Sequence, residues 1–197
     1  MGKIFLLMGK STSGKDTIYK ELIVDEKLGL EKVVPYTTRP MRDGEKDGVQ
    51  YFFKDENEYL KLREDGKIIE ERTYHTKYGE WRYFTVDDGQ IDLQNGNYLV
   101  IGTLESYCYI RDYFGKENVE PILVDVEARV RLERAMHREN KQDHPKYDEM
   151  CRRFLADEED FSENKIEAAG IIKRFTNNDK LETCISEITE YIAQKIG

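Results

Sequence analysis

Gly9-Lys10-Ser11-Thr12-Ser13-Gly14-Lys15-Asp16-Thr17 follows directly on the apolar run Ile4-Phe5-Leu6-Leu7-Met8. The run reads as a buried strand. Beyond the loop, Ile18, Leu22 and Ile23 give helical spacing through about Asp16 to Leu28, where Gly29 supplies a stop. A strand, a glycine-bearing loop and a helix N-terminus, in that order, make a phosphate cradle. The glycines let the backbone wrap an anion, loop N–H groups and the helix end stabilise its charge, and Lys15 reaches toward the β and γ phosphates. This P-loop pattern asks for Ser or Thr after the lysine as a Mg²⁺ ligand, and here Asp16 stands there with Thr17 next. Asp16 either takes part in metal binding through water or caps the helix.

At 197 residues the chain suits one α/β domain with a continuous core. Hydrophobic residues at 39% and charged residues at 36% are a mixture that buries a core and solvates a surface. A net charge of −9 argues against nonspecific attraction to nucleic acid, so any anion site must be local. Cys108, Cys151 and Cys184 are widely spaced and odd in number, which fits neither a zinc site nor a disulfide framework and suits a reducing cytoplasm. The apolar run at the N-terminus is only five residues long and ends in the loop, so a strand explains it better than a signal sequence, and no membrane span is expected.

Farther along, Glu31 to Tyr36 reads as a short strand, and Val49 to Phe53 and Arg82 to Val86 as strands around a helix from Asn57 to Asp65. This section is expected to form a small, partly antiparallel subdomain. Tyr98 to Gly102 and Pro121 to Asp125 read as buried strands, each followed by a helical pattern, which restores parallel α/β organisation. Glu127 to about Ala169 is charged and helical, and Ile171 to Phe175 with Lys180 to Ile196 suit a last strand and a closing amphipathic helix.

The second decisive stretch is Thr37-Thr38-Arg39-Pro40-Met41-Arg42-Asp43-Gly44-Glu45-Lys46-Asp47-Gly48-Val49-Gln50-Tyr51. Together with the loop before Lys15, it resembles the guanylate kinase family, whose P-loop is followed by TTR-x-x-R-x-G-E-x-x-G-x-x-Y. The resemblance implies a P-loop NTPase-type three-layer α/β/α core with a parallel sheet, a small mixed acceptor-binding subdomain and a helical lid. The core takes about 1–34, 97–126 and 170–197, the subdomain about 35–96, and the lid about 127–169. The implied reaction is transfer of the γ-phosphoryl of Mg²⁺-bound ATP to GMP by a cytoplasmic enzyme, a monomer or homodimer.

By the same resemblance, Gly9, Ser11, Thr12, Ser13, Gly14, Lys15, Asp16 and Thr17 hold ATP, with Asp16 and Thr17 toward the metal and Asn178 toward the adenine. Arg39 and Arg42 hold the acceptor phosphate, which suits the planar fork of arginine. Tyr51 and Tyr78 add hydroxyl donors. Glu70 reads the N1–H and 2-amino donors of guanine, with Glu71 left open as the alternative. Arg134 and Arg138, four apart on one helical face, and Arg153 at the start of the next helix close over the phosphates. These three join Lys15 and Arg39 as the catalytic set, because phosphoryl transfer is mainly positioning and charge neutralisation.

The chain departs from the family at several positions. Pro35 and Tyr36 stand where small polar residues are usual, Glu80 follows Gly79, and Gly102 and Thr103 lie where two aspartates belong. Thr103 is the acceptor-side residue expected there. These departures keep two other readings open: a kinase of the same fold acting on another phosphorylated acceptor, and a phosphopeptide-binding module.

Overall fold

All five residues of β1 (Ile4–Met8) are buried, and the period-two alternation of a strand divides them between two cores. The computed structural model describes residues 1–76 and 79–197. Ile4, Leu6 and Met8 face one side with Tyr107, Ile110, Phe161 and Ile166. Phe5 and Leu7 face the other with Ile18, Leu22, Ile188 and Ile192. A strand covered on both faces has no solvent side, which is why its sequence is a continuous apolar run.

In chain order, β1 leads through the glycine loop to α1 (Lys15–Val24) and β2 (Leu30–Lys32). Then come β3 (Tyr36–Thr37), β4 (Phe52–Phe53), α2 (Glu56–Glu64), β5 (Ile68–Thr76) and β6 (Gly79–Val86). The chain returns through β7 (Asn97–Ile101), α3 (Leu104–Phe114) and β8 (Val119–Asp125), followed by α4 (Ala128–Glu139), α5 (Tyr147–Asp160) and α6 (Glu163–Ala168). It closes with β9 (Arg174–Thr176) and α7 (Leu181–Ile196). One sheet has the order β2-β7-β1-β8-β9, and all its pairings are parallel. The other, β4-β3-β6-β5, is mixed. The three-layer core, the small mixed subdomain and the helical segment after β8 are all present.

Several boundaries differ from the sequence reading for local reasons. Helix α1 ends at Val24 rather than Leu28 because Asp25 leaves helical geometry and its carboxylate accepts the Lys27 N–H at 3.0 Å. The strand expected over Glu31–Tyr36 is two strands in different sheets. Pro35 has no N–H to give a ladder, and the Val34 N–H goes to the Gln90 side chain at 2.9 Å. Of Val49–Phe53, only Phe52 and Phe53 form a strand, since Gly48 turns the chain at φ +72°. Arg82–Val86 extends back to Gly79 because it has a nine-residue partner, β5. Helix α2 matches closely, fixed by a capping box between Asp55 and Glu58. The last strand is displaced to Arg174–Thr176, with Ile171 packed in the core and Ile172 exposed.

Candidate functional site

The loop after β1 has the backbone of an anion cradle. Gly14 precedes α1 at φ +90°, and a Cβ there would lie 2.5 Å from Asn177 Nδ2. At Gly9 a Cβ would lie 2.6 Å from the Val124 carbonyl oxygen. Neither position admits a side chain without displacing its neighbour. Among the described residues no side chain caps α1, so its first N–H groups stay open toward the loop. Asp16 therefore does not cap the helix: Gly14 holds that position, and Asp16 and Thr17 are exposed in the first turn.

Asn177, which the sequence reading passed over for Asn178, is buried and donates from Nδ2 to the Ser13 carbonyl at 2.8 Å. Arg134 Nη2 donates to the Asn177 carbonyl at 2.8 Å, tying α4 to the same point. Asn178 instead accepts the Glu127 N–H at 2.9 Å and so holds the start of α4. The two asparagines have separate structural tasks, and nothing in their spacing distinguishes them.

Acidic side chains of α5 meet the loop. The Ser11 N–H donates to Asp157 Oδ2 at 2.7 Å, and Lys10 Nζ donates to Glu158 Oε2 at 2.7 Å. Arg131, 1% exposed, also donates to Glu158, and its guanidinium lies 4.5 Å from the Phe154 ring centroid. Burial acts to raise the Glu158 carboxyl, but the hydrogen bond from Lys10 and the charges of Lys10 and Arg131 outweigh it and hold the group below its ordinary value. Arg138 is exposed one turn beyond Arg134.

A second cleft, of about 510 Å³, is lined by Arg42, Tyr51, Glu70, Arg72, Thr85 and Ser106, among others. Glu70 is 5% exposed, and its two oxygens accept from Thr85 Oγ1 at 2.8 Å and Ser106 Oγ at 3.1 Å. The register irregularity between Ile68 and Glu70 sets Glu70 directly opposite Thr85. Glu71 takes the hydroxyl of Tyr59 at 2.6 Å and the charge of Arg63, so Glu70 alone of the pair lines this cleft. Burial pushes the Tyr51 phenol up.

Other residues expected at the acceptor have protein partners of their own. The sequence reading gives Arg39 and Arg42 one phosphate, whereas Arg39 is 3% exposed and makes a two-pronged ion pair with Glu45 at 3.0 and 2.8 Å. Its Nη1 also reaches the Pro40 carbonyl at 2.7 Å, and its guanidinium lies over Tyr51 and Phe53. Hydrogen bonds from Arg39 and the Arg42 N–H hold the Glu45 carboxyl below its ordinary value. Thr103 caps α3, accepting the Ser106 N–H at 3.2 Å, and lines a neighbouring cavity of about 790 Å³ with Glu71 and Asp160. Ser106, one turn on, lines the Glu70 cleft. Arg153 lies midway along α5 rather than at its start and lines the Glu70 cleft, pairing with Glu149 at 3.2 Å. Tyr78 lies outside the described residues.

Comparison with known proteins bears on the fold and on the N-terminal stretch. A solved guanylate kinase from Anaplasma phagocytophilum superposes over 100% of this chain and 87% of its own, with a TM-score of 0.65 at 20% identity. The chain has the guanylate kinase fold. The guanylate kinase family model matches residues 1–86. A guanylate kinase of Oceanobacillus iheyensis is 39% identical over 93 residues, 45% of this chain and 45% of the relative. One of Legionella pneumophila (strain Lens) is 40% identical over 80 residues, 40% of this chain and 37% of the relative. The chain thus spans less than half the length of these relatives in the matched stretch. The guanylate kinase match holds the glycine loop, the arginine loop and Glu70. Ser106, Arg131, Asp157 and Asn177 all lie beyond residue 86, where the family pattern gave no guide to them.

Proposed function

We propose that this protein transfers the γ-phosphoryl group of ATP to GMP, giving ADP and GDP. One observation carries the reading. A carboxylate, Glu70, is buried in a cleft that also carries Arg42 and Tyr51. A buried carboxylate suits a ligand edge bearing two adjacent N–H donors, which guanine has and adenine lacks. A guanidinium and a phenol suit the phosphate of the same nucleotide.

In this reading the amides of Ser11 to Lys15 and the Lys15 ammonium hold the β and γ phosphates of ATP. An oxygen of the GMP phosphate attacks the γ phosphorus in line while the bond to the β–γ bridging oxygen breaks. The bridging oxygen leaves with ADP. Arg42 and Tyr51 orient the attacking phosphate, and Arg134 and Arg138 move over the transferring group, where arginines contribute ~10³ to 10⁵ in rate. Arg39 shapes the acceptor loop through Glu45, and Arg153 approaches the acceptor from α5. Asp16 and Thr17 offer a carboxylate and a hydroxyl in the first turn of α1, a donor set that fits Mg²⁺. When bound there, the ion would neutralise charge on the phosphates.

Among the described residues no helix is long and apolar enough to cross a membrane. A reducing cytoplasm, with the chain as monomer or homodimer, completes the reading. The test is coupled ADP release with ATP and Mg²⁺, comparing GMP, AMP, CMP, UMP and no acceptor. Turnover with GMP above all others is the expected result; turnover confined to other phosphorylated compounds overturns the acceptor assignment.

A further inference from the structure

Glu70 and Arg72 are two residues apart on β5, and both line the cleft that holds Arg42 and Tyr51. Arg72 Nε lies 3.5 Å from Glu70 Oε2, and the pair is largely buried, with 22% and 3% of the two side chains exposed. That Nε is inaccessible and, among the described residues, makes no hydrogen bond. Thr85 and Ser106 already direct their hydroxyls onto Glu70, and Pro35, which also lines the cleft, has no side-chain donor. Among the described residues, Arg72 is thus the cation beside the carboxylate. Its charge is also felt at Tyr51, where it acts with that of Arg39 against the upward push of burial and of Tyr83 on the phenol.

We propose that Arg72 is a specificity-determining residue that reads the O6 and N7 edge of the acceptor's guanine while Glu70 reads N1–H and the 2-amino group. The inference rests on the GMP reading above and deepens it. The order of groups around guanine is 2-amino, N1–H, O6, N7. A carboxylate engaged with the first two therefore brings the next two beside a group that stands next to it. An arginine fork matches O6 and N7 together, the pairing that dominates guanine recognition in nucleic acids. Adenine fails twice, presenting an amino donor to the arginine and an unprotonated nitrogen to the carboxylate. Either mismatch leaves a buried charge without its partner.

The test measures binding of GMP, 7-deaza-GMP and IMP by calorimetry to wild-type protein, Arg72→Met and Arg72→Lys, with thermal unfolding as a check on folding. Wild type should prefer GMP over 7-deaza-GMP, which lacks N7, by about tenfold. Arg72→Met should weaken GMP by about 10- to 100-fold and bring that preference close to one, since the fork is gone. The GMP-to-IMP ratio, which reports the 2-amino group facing Glu70, should change by less than about twofold. Arg72→Lys keeps the charge beside Glu70 and should fold as wild type, yet lose most of the N7 preference because an ammonium is not a fork. Equal weakening of all three nucleotides in both variants would overturn the proposal and assign Arg72 to the phosphate or to the fold. Wild-type protein that binds none of the three overturns the guanine reading and this proposal with it.

Discussion

The main-chain amide of Ser11 donates to the carboxylate of Asp157 at 2.7 Å, so a side chain of α5 occupies an anion position on the glycine loop. An oxygen of ATP entering that loop must displace it. Replacing Asp157 with Asn keeps the shape and removes the charge, which weakens a charge-assisted bond while leaving the amide free for phosphate. Asp157→Asn should bind ATP about 3- to 10-fold more tightly than wild type. Titration with a fluorescent ATP analogue reads this directly. Unchanged or weaker binding would show that the Asp157 contact does not compete with nucleotide.

Arg39 and Arg42 should separate by phenotype. Arg42 lines the cleft, and its side chain is exposed, so Arg42→Ala should fold normally and raise the KM for the acceptor by about 100-fold, the worth of one bidentate phosphate contact. Arg39 is committed to Glu45 and to the rings of Tyr51 and Phe53. Arg39→Ala should lower the melting temperature by on the order of 5 °C and loosen the acceptor loop as a whole. Steady-state kinetics beside thermal unfolding distinguishes the two. An Arg39→Ala protein with wild-type stability and a selective loss of acceptor use would return Arg39 to the phosphate.

Glu158 links the contact between α5 and the glycine loop to pH. Its carboxyl is held below the ordinary value of 4.5, with the hydrogen bond from Lys10 and the charges of Lys10 and Arg131 overcoming burial. A depressed folded-state pKa means that the unfolded chain takes up the proton first as pH falls. Its stabilising contribution is therefore complete above 4.5 and is lost as pH drops through the folded-state value. Glu158→Gln removes the titration, and at neutral pH it also leaves Arg131 without its ionic partner. The variant should be less stable than wild type near neutrality, with the gap narrowing between about pH 5 and 3. Parallel melting curves over that range check it; a gap that stays constant would mean the clasp contributes nothing through its charge.

What the sequence made legible follows from how local each signal is. Ile4–Met8 and Gly9–Lys15 lie side by side in the chain and state their conformation through composition, so the core strand, the cradle and α1 could all be read. Glu70 was legible only as one of two neighbours, because the choice depends on which face of β5 looks at Thr85 and Ser106. The pairing of Arg39 with Glu45 was not legible, because both sit in the same motif and a motif does not say whether an arginine turns inward or toward ligand. Ser106, Asp157 and Asn177 meet the site across separations of 36, 146 and 164 residues, distances over which a periodicity carries no information. The strand from Glu31 to Tyr36 broke for a comparable reason: Gln90, more than fifty residues on, claims the Val34 amide.

Asn177 and Asn178 supply the sharpest test of the P-loop geometry. Asn177 is 3% exposed, fills the space that a side chain at Gly14 would need, and is the donor to the Ser13 carbonyl. Asn177→Ala leaves that carbonyl without its partner and opens a gap under the loop, so the amides that hold phosphate lose their fixed arrangement. Asn178 only secures the first turn of α4, on the protein surface. Asn177→Ala should weaken ATP binding by about tenfold, with Asn178→Ala within about twofold of wild type, because the deleted hydrogen bonds differ in burial. Calorimetric titration of both variants with ATP makes the comparison. Equal losses would mean that the loop is held from α4 as much as from beneath, and the support assigned to Asn177 would then belong to the whole turn between β9 and α7.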